Sequence, residues 1–398
     1  MAIVSSHSVS CGNAAFTRVL HTSIERSRDG IDTEVIELDL TLLQSIDRGI
    51  RSKANDHISD ICCRLKEFDC VNIQMEAGLY GTVPRDIVKR FSKLVTANKN
   101  TNVTLHSPRL IAPSSSARSA IKKIFFLRLR SGLEELFLAS FKSINIKINK
   151  KIIRHCIASN SRIIVHTLRA KKQIENLFSY TNVDVHPLKM VDEGHSHDPK
   201  TFQNQFTQAN LDPNDIHIGM FGYISSYKGH VDALNALQQL PLNFKLLIFG
   251  RLHPAALTDG ALDPYLSHLI EMVNSREKLK NRVLFLGELD DSDFLDVVSD
   301  IDVAWLPYHE NGQDGSGIAS LCLDLCPRVL CSSSFAFDEL LKLVKYNNVM
   351  RFDIGNTVEL AGKTQMILNR DEPSRPYGGV SRYNVRTQAD IYLTELDS

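Results

Sequence analysis

The sequence predicts an α/β protein of two doubly wound domains, and three observations carry that reading. Short apolar runs alternate with stretches of helical period along the whole chain. The alternation falls into two series, separated by a polar stretch over residues 191–215. At 398 residues the chain also exceeds what one compact domain of ordinary size holds. Strand–helix alternation favours parallel sheets covered by helices on both faces.

In the first series, strands are expected at residues 2–5, 33–38, 71–75, 103–106 and 163–166, with helical spacing between them, as in Phe16, Val19, Leu20 and Ile24. The second series places strands at 218–221, 245–249, 283–286, 303–306 and 329–331. Its first helix follows Gly229 and carries Val231, Leu234, Leu237 and Leu240. The predicted plan is a first domain over 1–190, a polar linker over 191–215 and a second domain over 216–375. Ligands of open parallel sheets sit beyond the C-terminal strand ends. Two such sheets facing each other across a cleft would share one site.

Composition excludes several classes. Lys plus Arg (46) equals Asp plus Glu (46), so the chain has no general attraction for nucleic acid. No apolar run approaches the ~20 residues that span a bilayer, and the N-terminus reads at once as a strand rather than a secretory signal. The eight cysteines form no CxxC pair, and several lie in apolar periodic segments, which argues for a reducing cytoplasm.

The segment from Phe221 to His230, FGYISSYKGH, joins a strand to a helix. Its glycine permits a tight turn, and Lys228 adds a point charge at the positive end of the helix, a combination suited to a diphosphate. An exposed lysine in an ordinary loop explains the same residues equally well. A second loop, Asn311-Gly312-Gln313-Asp314-Gly315-Ser316-Gly317, introduces a helix with Ile318, Leu321, Cys322 and Leu325 on one face. Its backbone N–H groups make a nest for anionic oxygens, or Ser316 simply caps the helix. Arg251 leaves a strand end toward the expected cleft, where it would pair with phosphate or form a surface ion pair. In the first series Gly12 follows the first strand, Glu76 the third and His106 the fourth. Each has a plain alternative: a tight turn, a helix cap and a structural hydrogen bond. Glu76 is the candidate for binding an acceptor hydroxyl.

Taken in order, these segments resemble the retaining GT-B glycosyltransferases of family four. The resemblance runs over nearly the whole chain, through CGNAAFTRVL, NIQMEAGLYG, VTLHSP, IIVHT, FGYISSYKGHVDALNAL, FLGELDDSDFLDVVSDIDVAWLPY, the GSG turn and SRYNVRTQADIYLTEL. It implies that Gly12 lies near the donor phosphates, that His106 contacts the transferred sugar, and that Lys228 stabilises the departing diphosphate. Asp314, Gly315, Ser316 and Gly317 would hold phosphate or sugar, and the backbone around Gly287, Glu288 and Leu289 would meet the base. Residues 376–398 would form a helix crossing back to the first domain. Family members often carry two glutamates eight positions apart at the GSG region, where this chain has Asp314 and Cys322. The arginine that usually follows the first glycine of the lysine segment is replaced by Tyr223.

The implied activity is transfer of a sugar, with retention, from a nucleotide-diphosphate sugar to a glycan or lipid-linked acceptor, without metal or cofactor. A catalytically inactive subunit that scaffolds an active partner is the competing reading, motivated by the missing carboxylate and arginine. An epimerase of the same architecture fits the ordered segments poorly. Asp300 and Asp302 have DxD spacing but open a strand at the end away from the cleft, and His195 and His197 lie in the polar linker. Between Arg118 and Arg154 there are ten Lys or Arg (118, 122, 123, 128, 130, 142, 147, 150, 151, 154) against Glu134 and Glu135. That stretch suggests contact with an anionic membrane surface, or an ordinary solvated helix face whose Phe and Leu line the core.

Overall fold

The computed structural model describes residues 1–9, 11–27, 31–111, 129–191, 198, 211–252, 263–310, 312–344, 346–370 and 383–394, the side chains at 129–142 and 291–292 excepted. The chain divides into two compact units, Met1–Pro187 with Asn384–Ser398, and Leu188–Tyr383.

The first unit runs β1 (Ala2–Ser5), α1 (Gly12–Ser27), β2 (Glu34–Glu37), α2 (Leu40–Leu43), α3 (Arg48–Arg64), β3 (Val71–Met75), α4 (Pro84–Val95), β4 (Thr101–Leu105), α5 (Leu129–Ala158), β5 (Arg162–Val165), α6 (Leu168–Phe178) and β6 (Val183–Val185). Its six strands are all parallel, in the order β2-β1-β3-β4-β5-β6. The central strands are buried on both faces, and in β3 and β4 apolar residues alternate with buried Asn72, Gln74, Asn102 and Thr104, which hydrogen-bond one another.

The second unit runs β7 (Ile216–Phe221), α7 (His230–Leu237), β8 (Phe244–Phe249), α8 (Pro264–Ser275), β9 (Val283–Gly287), α9 (Asp291–Asp300), β10 (Val303–Leu306), α10 (Gly317–Leu325), β11 (Val329–Ser332), α11 (Phe335–Leu343), β12 (Val349–Phe352) and α12 (Thr357–Leu368). Its parallel order is β12-β11-β10-β7-β8-β9. The core gathers Ile218, Leu234, Leu246, Leu269, Trp305 and Leu360, and Trp305 donates its indole N–H to Thr364 Oγ1 at 3.0 Å.

Both sheets reverse direction once. In the first, the chain steps from β1 out to β2 and then restarts with β3 on the other side of β1. In the second it steps from β7 outward to β9 and restarts with β10 against β7. The loops leaving the two strands at such a reversal diverge and open a crevice at the strand C-termini. These are the loops after β1 and β3 in one unit, and after β7 and β10 in the other.

Two strands escape the sequence reading, β6 and β12. Both are sheet edges, and both are only partly buried, so the two-sided apolar run that marks a central strand is absent. The last helix, α13 (Val385–Leu393), belongs to the first unit. Asn384 and Thr387 close a capping box at its start. Ser23 donates to the Val385 carbonyl at 3.0 Å, Arg162 Nη1 to that of Ile391 at 2.7 Å, and buried Tyr392 shares a 3.0 Å hydrogen bond with Thr104.

Most of the polar stretch 191–215 and residues 118–128 lie outside the described residues, as do His195 and His197. In the described end of α5, Ile148, Ile152, Ile153 and Cys156 are buried while Lys147, Lys151 and Arg154 are exposed. Over those roughly two to three turns the apolar side chains line the core. No helix among the described residues is long and apolar enough to cross a membrane.

Candidate active site

Lys228 sits between β7 and α7, in a single 3-10 turn closed by Gly229. Its side chain is buried, 5% exposed. Gly229 has φ +76°, and a Cβ there would stand 1.9 Å from the Pro307 carbonyl oxygen. Only glycine lets the loop after β7 press against the loop after β10 in this way. The Tyr227 carbonyl also accepts from the His309 N–H at 2.7 Å. The two loops at the strand reversal are thus fastened together.

Tyr308, two residues beyond β10, is the partner they place on Lys228. The ammonium hydrogen-bonds the Tyr308 hydroxyl and lies 4.3 Å from the centre of the Tyr308 ring and 5.6 Å from that of Tyr227. On its other side the Tyr308 hydroxyl reaches Ser316 Oγ at 3.5 Å. Ser316 caps α10 by accepting from the Ala319 N–H at 3.2 Å. Helix geometry leaves the N–H groups of Gly317 and Ile318 without intrahelical acceptors. A buried cation and the positive end of a nine-residue helix therefore converge through one tyrosine. Burial pulls the Lys228 pKa down to about 7, with the Cys322 thiol as a smaller opposing influence. Burial likewise keeps Tyr308 and Cys322 protonated, well above their ordinary ranges.

The backbone around Gly222 and Gly250 is closely packed. A Cβ on Gly222 would meet Ile318 Cγ1 at 3.1 Å and Lys228 Nζ at 3.4 Å, and one on Gly250 would stand 2.0 Å from the Gly222 carbonyl oxygen. Asp314 is buried at 7% exposure and Gly315 half-buried. Gly317 packs beside Met190 and Leu188, and Ser320 donates to the Leu188 carbonyl at 2.7 Å. Glu310 ties the same loop to α11, accepting from Gly312 N–H at 2.7 Å and Phe335 N–H at 2.8 Å.

Arg251 and Glu288 form an ion pair with each other, Nε to Oε2 3.0 Å, misaligned for a hydrogen bond. The Arg251 guanidinium stands 6.0 Å from the ring centre of Tyr223, the residue in place of the family's usual arginine. Leu289 follows, half-buried, after Gly287 at φ +78°. Cys322 is fully buried and neutral, so it offers nothing to a ribose hydroxyl. Asp302 accepts from the His217 N–H at 2.7 Å at the opposite, N-terminal end of the sheet.

In the first unit, His106 follows β4 and both of its ring nitrogens are engaged. Nδ1 lies 3.2 Å from His166 Nε2, Nε2 lies 2.7 Å from Gln74 Oε1, and His166 Nδ1 lies 3.1 Å from the His186 carbonyl. A carbonyl only accepts, so His166 donates from Nδ1. Burial keeps His166 neutral, at about 4, which makes its Nε2 an acceptor and His106 Nδ1 the donor. The heavy atoms at Gln74 then fit two arrangements: an imidazolium donating to Oε1, or a neutral ring accepting from the amide turned over. Burial and the neighbouring His166 hold His106 well below its usual range, while Gln74 Nε2 as placed donates to Asn72 Oδ1 at 2.5 Å, a bond the turned amide would give up. Phe16 packs edge-on against both rings, 5.1 and 5.6 Å between centres. Gly12 opens α1 with an exposed backbone, and a Cβ there would meet nothing within 4 Å. Glu76 leaves β3 beside His106.

Tyr308, Gln74 and His166 are absent from the sequence-derived set. Tyr308 follows a Leu-Pro pair at a strand end, the position from which Lys228 and Ser316 were inferred. That position was its available signal.

No protein-family model matches the chain, and no curated protein matches it in sequence. Solved structures do match over their full length. HepE of Anabaena in complex with UDP-glucose aligns with TM-score 0.64 at 15% identity, over 100% of this chain and 99% of that one. A glycosyltransferase of Rickettsia africae gives 0.63 at 13% identity, over 100% and 98%. This chain has the GT-B fold. The UDP-forming α,α-trehalose-phosphate synthase of Burkholderia xenovorans, in complex with glucose-6-phosphate, aligns with 0.63 at 11% identity, over 100% and 99%. At such identities the likeness is one of fold, and GT-B folds serve more than one chemistry.

Proposed function

We propose that this GT-B chain is a glycosyltransferase that moves a sugar, with retention and without a metal, from a nucleotide-diphosphate sugar to a glycan or lipid-linked acceptor. The observation that carries the reading is the convergence of buried Lys228, Tyr308 and the N-terminus of α10 at the strand reversal of the second unit. No carboxylate among the described residues pairs with this buried amine, whose partners are Tyr308 and Tyr227, and an incoming diphosphate would complete it. Neighbours of the same fold bound to UDP and UDP-glucose support the donor class.

In the proposed reaction the bond between the anomeric carbon and the phosphate oxygen breaks, and its electron pair stays on the diphosphate. Lys228 and the amides of Gly317 and Ile318 stabilise that growing charge. The acceptor hydroxyl oxygen bonds the anomeric carbon from the side the diphosphate leaves, and its proton passes to a phosphate oxygen. Gly12 leaves backbone open to the donor or acceptor. The His106 ring, held by Gln74 and His166, acts as a fixed wall for the transferred sugar. Arg251 and Glu288 would exchange part of their mutual contact for nucleotide contacts.

Thermal-shift measurements against UDP, GDP and their sugar conjugates test this first. One nucleoside diphosphate is expected to raise the melting temperature by several degrees at concentrations well above its Kd. Proton NMR of the product then tests retention, which requires the anomeric configuration of the donor. A full panel that leaves the melting temperature unmoved would favour the scaffold reading.

A further inference from the structure

Beyond the ends of β3 and β4, two opposite charges feel each other, yet neither side chain hydrogen-bonds or ion-pairs among the described residues. Met75 and Leu105 are in register, and the His106 N–H donates to the Met75 carbonyl at 3.3 Å. The chain therefore leaves the two strands side by side at Glu76 and His106, and reaches Arg109 three residues later. The backbone of Arg109 is fixed. Its N–H donates to the Ser107 carbonyl at 2.8 Å, and its own carbonyl accepts from Asn149 Nδ2 of α5 at 3.2 Å.

Its side chain is not fixed in the same way. The Nε of Arg109 is buried and makes no hydrogen bond, and its guanidinium forms no ion pair among the described residues. The Glu76 carboxyl, half-buried, also accepts no hydrogen bond and forms no ion pair among the described residues. Burial raises its pKa to about 7, and the charge of Arg109 pulls it only part of the way back. Unsatisfied buried polar groups are costly and gather where a ligand completes them. His106 next to them has both ring nitrogens engaged, so Glu76 and Arg109 hold the spare hydrogen-bonding capacity of this strand end.

We propose that Arg109 and Glu76 form an acceptor subsite for a phosphate-bearing polyol, with the guanidinium on the phosphate oxygens and the Glu76 carboxyl on a hydroxyl of the same molecule. A guanidinium presents parallel N–H groups that match a phosphate. A carboxyl that is part-protonated near neutrality tolerates an adjacent anion and can donate as well as accept. This rests on the glycosyltransferase reading and narrows its acceptor. The same chemistry is offered by a free phosphorylated polyol and by a phospholipid headgroup.

The probes are glycerol 3-phosphate, with glycerol as control, and vesicles of phosphatidylglycerol in phosphatidylcholine, with phosphatidylcholine alone as control. Calorimetric titration and vesicle flotation of the full chain are expected to show binding of at least one phosphate probe and of neither control. Arg109→Gln should weaken that binding by about tenfold or more, Arg109→Lys by less, and Glu76→Gln measurably. UDP affinity should be unchanged in all three, which also reports that they fold. Binding of glycerol 3-phosphate would identify a soluble acceptor, and binding of the vesicles alone a lipid-borne one. Silence of both probes, or equal binding by Arg109→Gln and wild type, overturns the subsite. Loss of UDP binding by the wild-type chain would instead overturn the donor reading, leaving the phosphate titration to stand by itself.

Discussion

Lys228→Ala is expected to weaken binding of the nucleoside diphosphate by roughly 10- to 100-fold, the range of one lost charge-assisted hydrogen bond in a dry site. Turnover should fall further, by roughly 100- to 1,000-fold, because the same group meets the charge that develops in the transition state. Binding should also depend on pH with a definite sign. With the free pKa near 7 and a bound dianion raising it, affinity falls as pH climbs above about 7, by up to about tenfold per unit. Calorimetry between pH 7 and 9 reads this directly, with proton uptake on binding.

Stability should move the other way. A lysine whose folded pKa is lowered binds fewer protons folded than unfolded between about 7 and its ordinary 10.5. Its penalty is therefore full at and below pH 7 and fades as pH rises to 10.5. Lys228→Met, which removes the amine but keeps the bulk, should raise the melting temperature of the free protein, most at pH 7 and below, while weakening binding about as much as Lys228→Ala does. Stability given up at a site for function behaves in this way.

Gly229→Ala should be the most damaging small substitution. An L-residue at φ +76° costs about 1 kcal/mol on backbone grounds alone. The added Cβ would also stand 1.9 Å from the Pro307 carbonyl oxygen and 2.9 Å from its carbon. Both are backbone atoms at the end of a buried strand and cannot swing aside. Relief requires parting the loops after β7 and β10, which would withdraw Lys228 from Tyr308. The expected loss is roughly 3 kcal/mol or more, read as a lower urea midpoint at unchanged slope, together with lost nucleotide binding. Gly12→Ala is the contrast. Its φ is ordinary and its Cβ meets nothing within 4 Å, so stability should stay within about 0.5 kcal/mol.

The central strands of the second sheet were legible in the sequence because burial on both faces writes a largely apolar run, as in β7 and β8. The edge strands β6 and β12 were not, since one-sided exposure admits Asp184 and Arg351 and erases the run. Lys228 and Ser316 could be inferred because each stands where a strand turns into a helix. What joins them could not. Tyr308 matters through a contact across 80 positions, and no local pattern encodes which side chain will lie over which. His106 shows the converse. Its place at a strand end was readable, but its engagement by Gln74 and His166 depends on partners 32 and 60 positions away. Glu76 was readable as an acceptor candidate at a strand end, but Arg109 beside it was not, since the approach of the two across 33 positions, from 76 to 109, has no local pattern.

A crystal structure of the chain with a nucleoside diphosphate is the most direct test of phosphate binding in the second unit. The terminal phosphate should place an oxygen within about 3 Å of Lys228 Nζ and another within the same reach of the Gly317 or Ile318 N–H. A diphosphate seated elsewhere, with Lys228 still bound only to Tyr308, would contradict it.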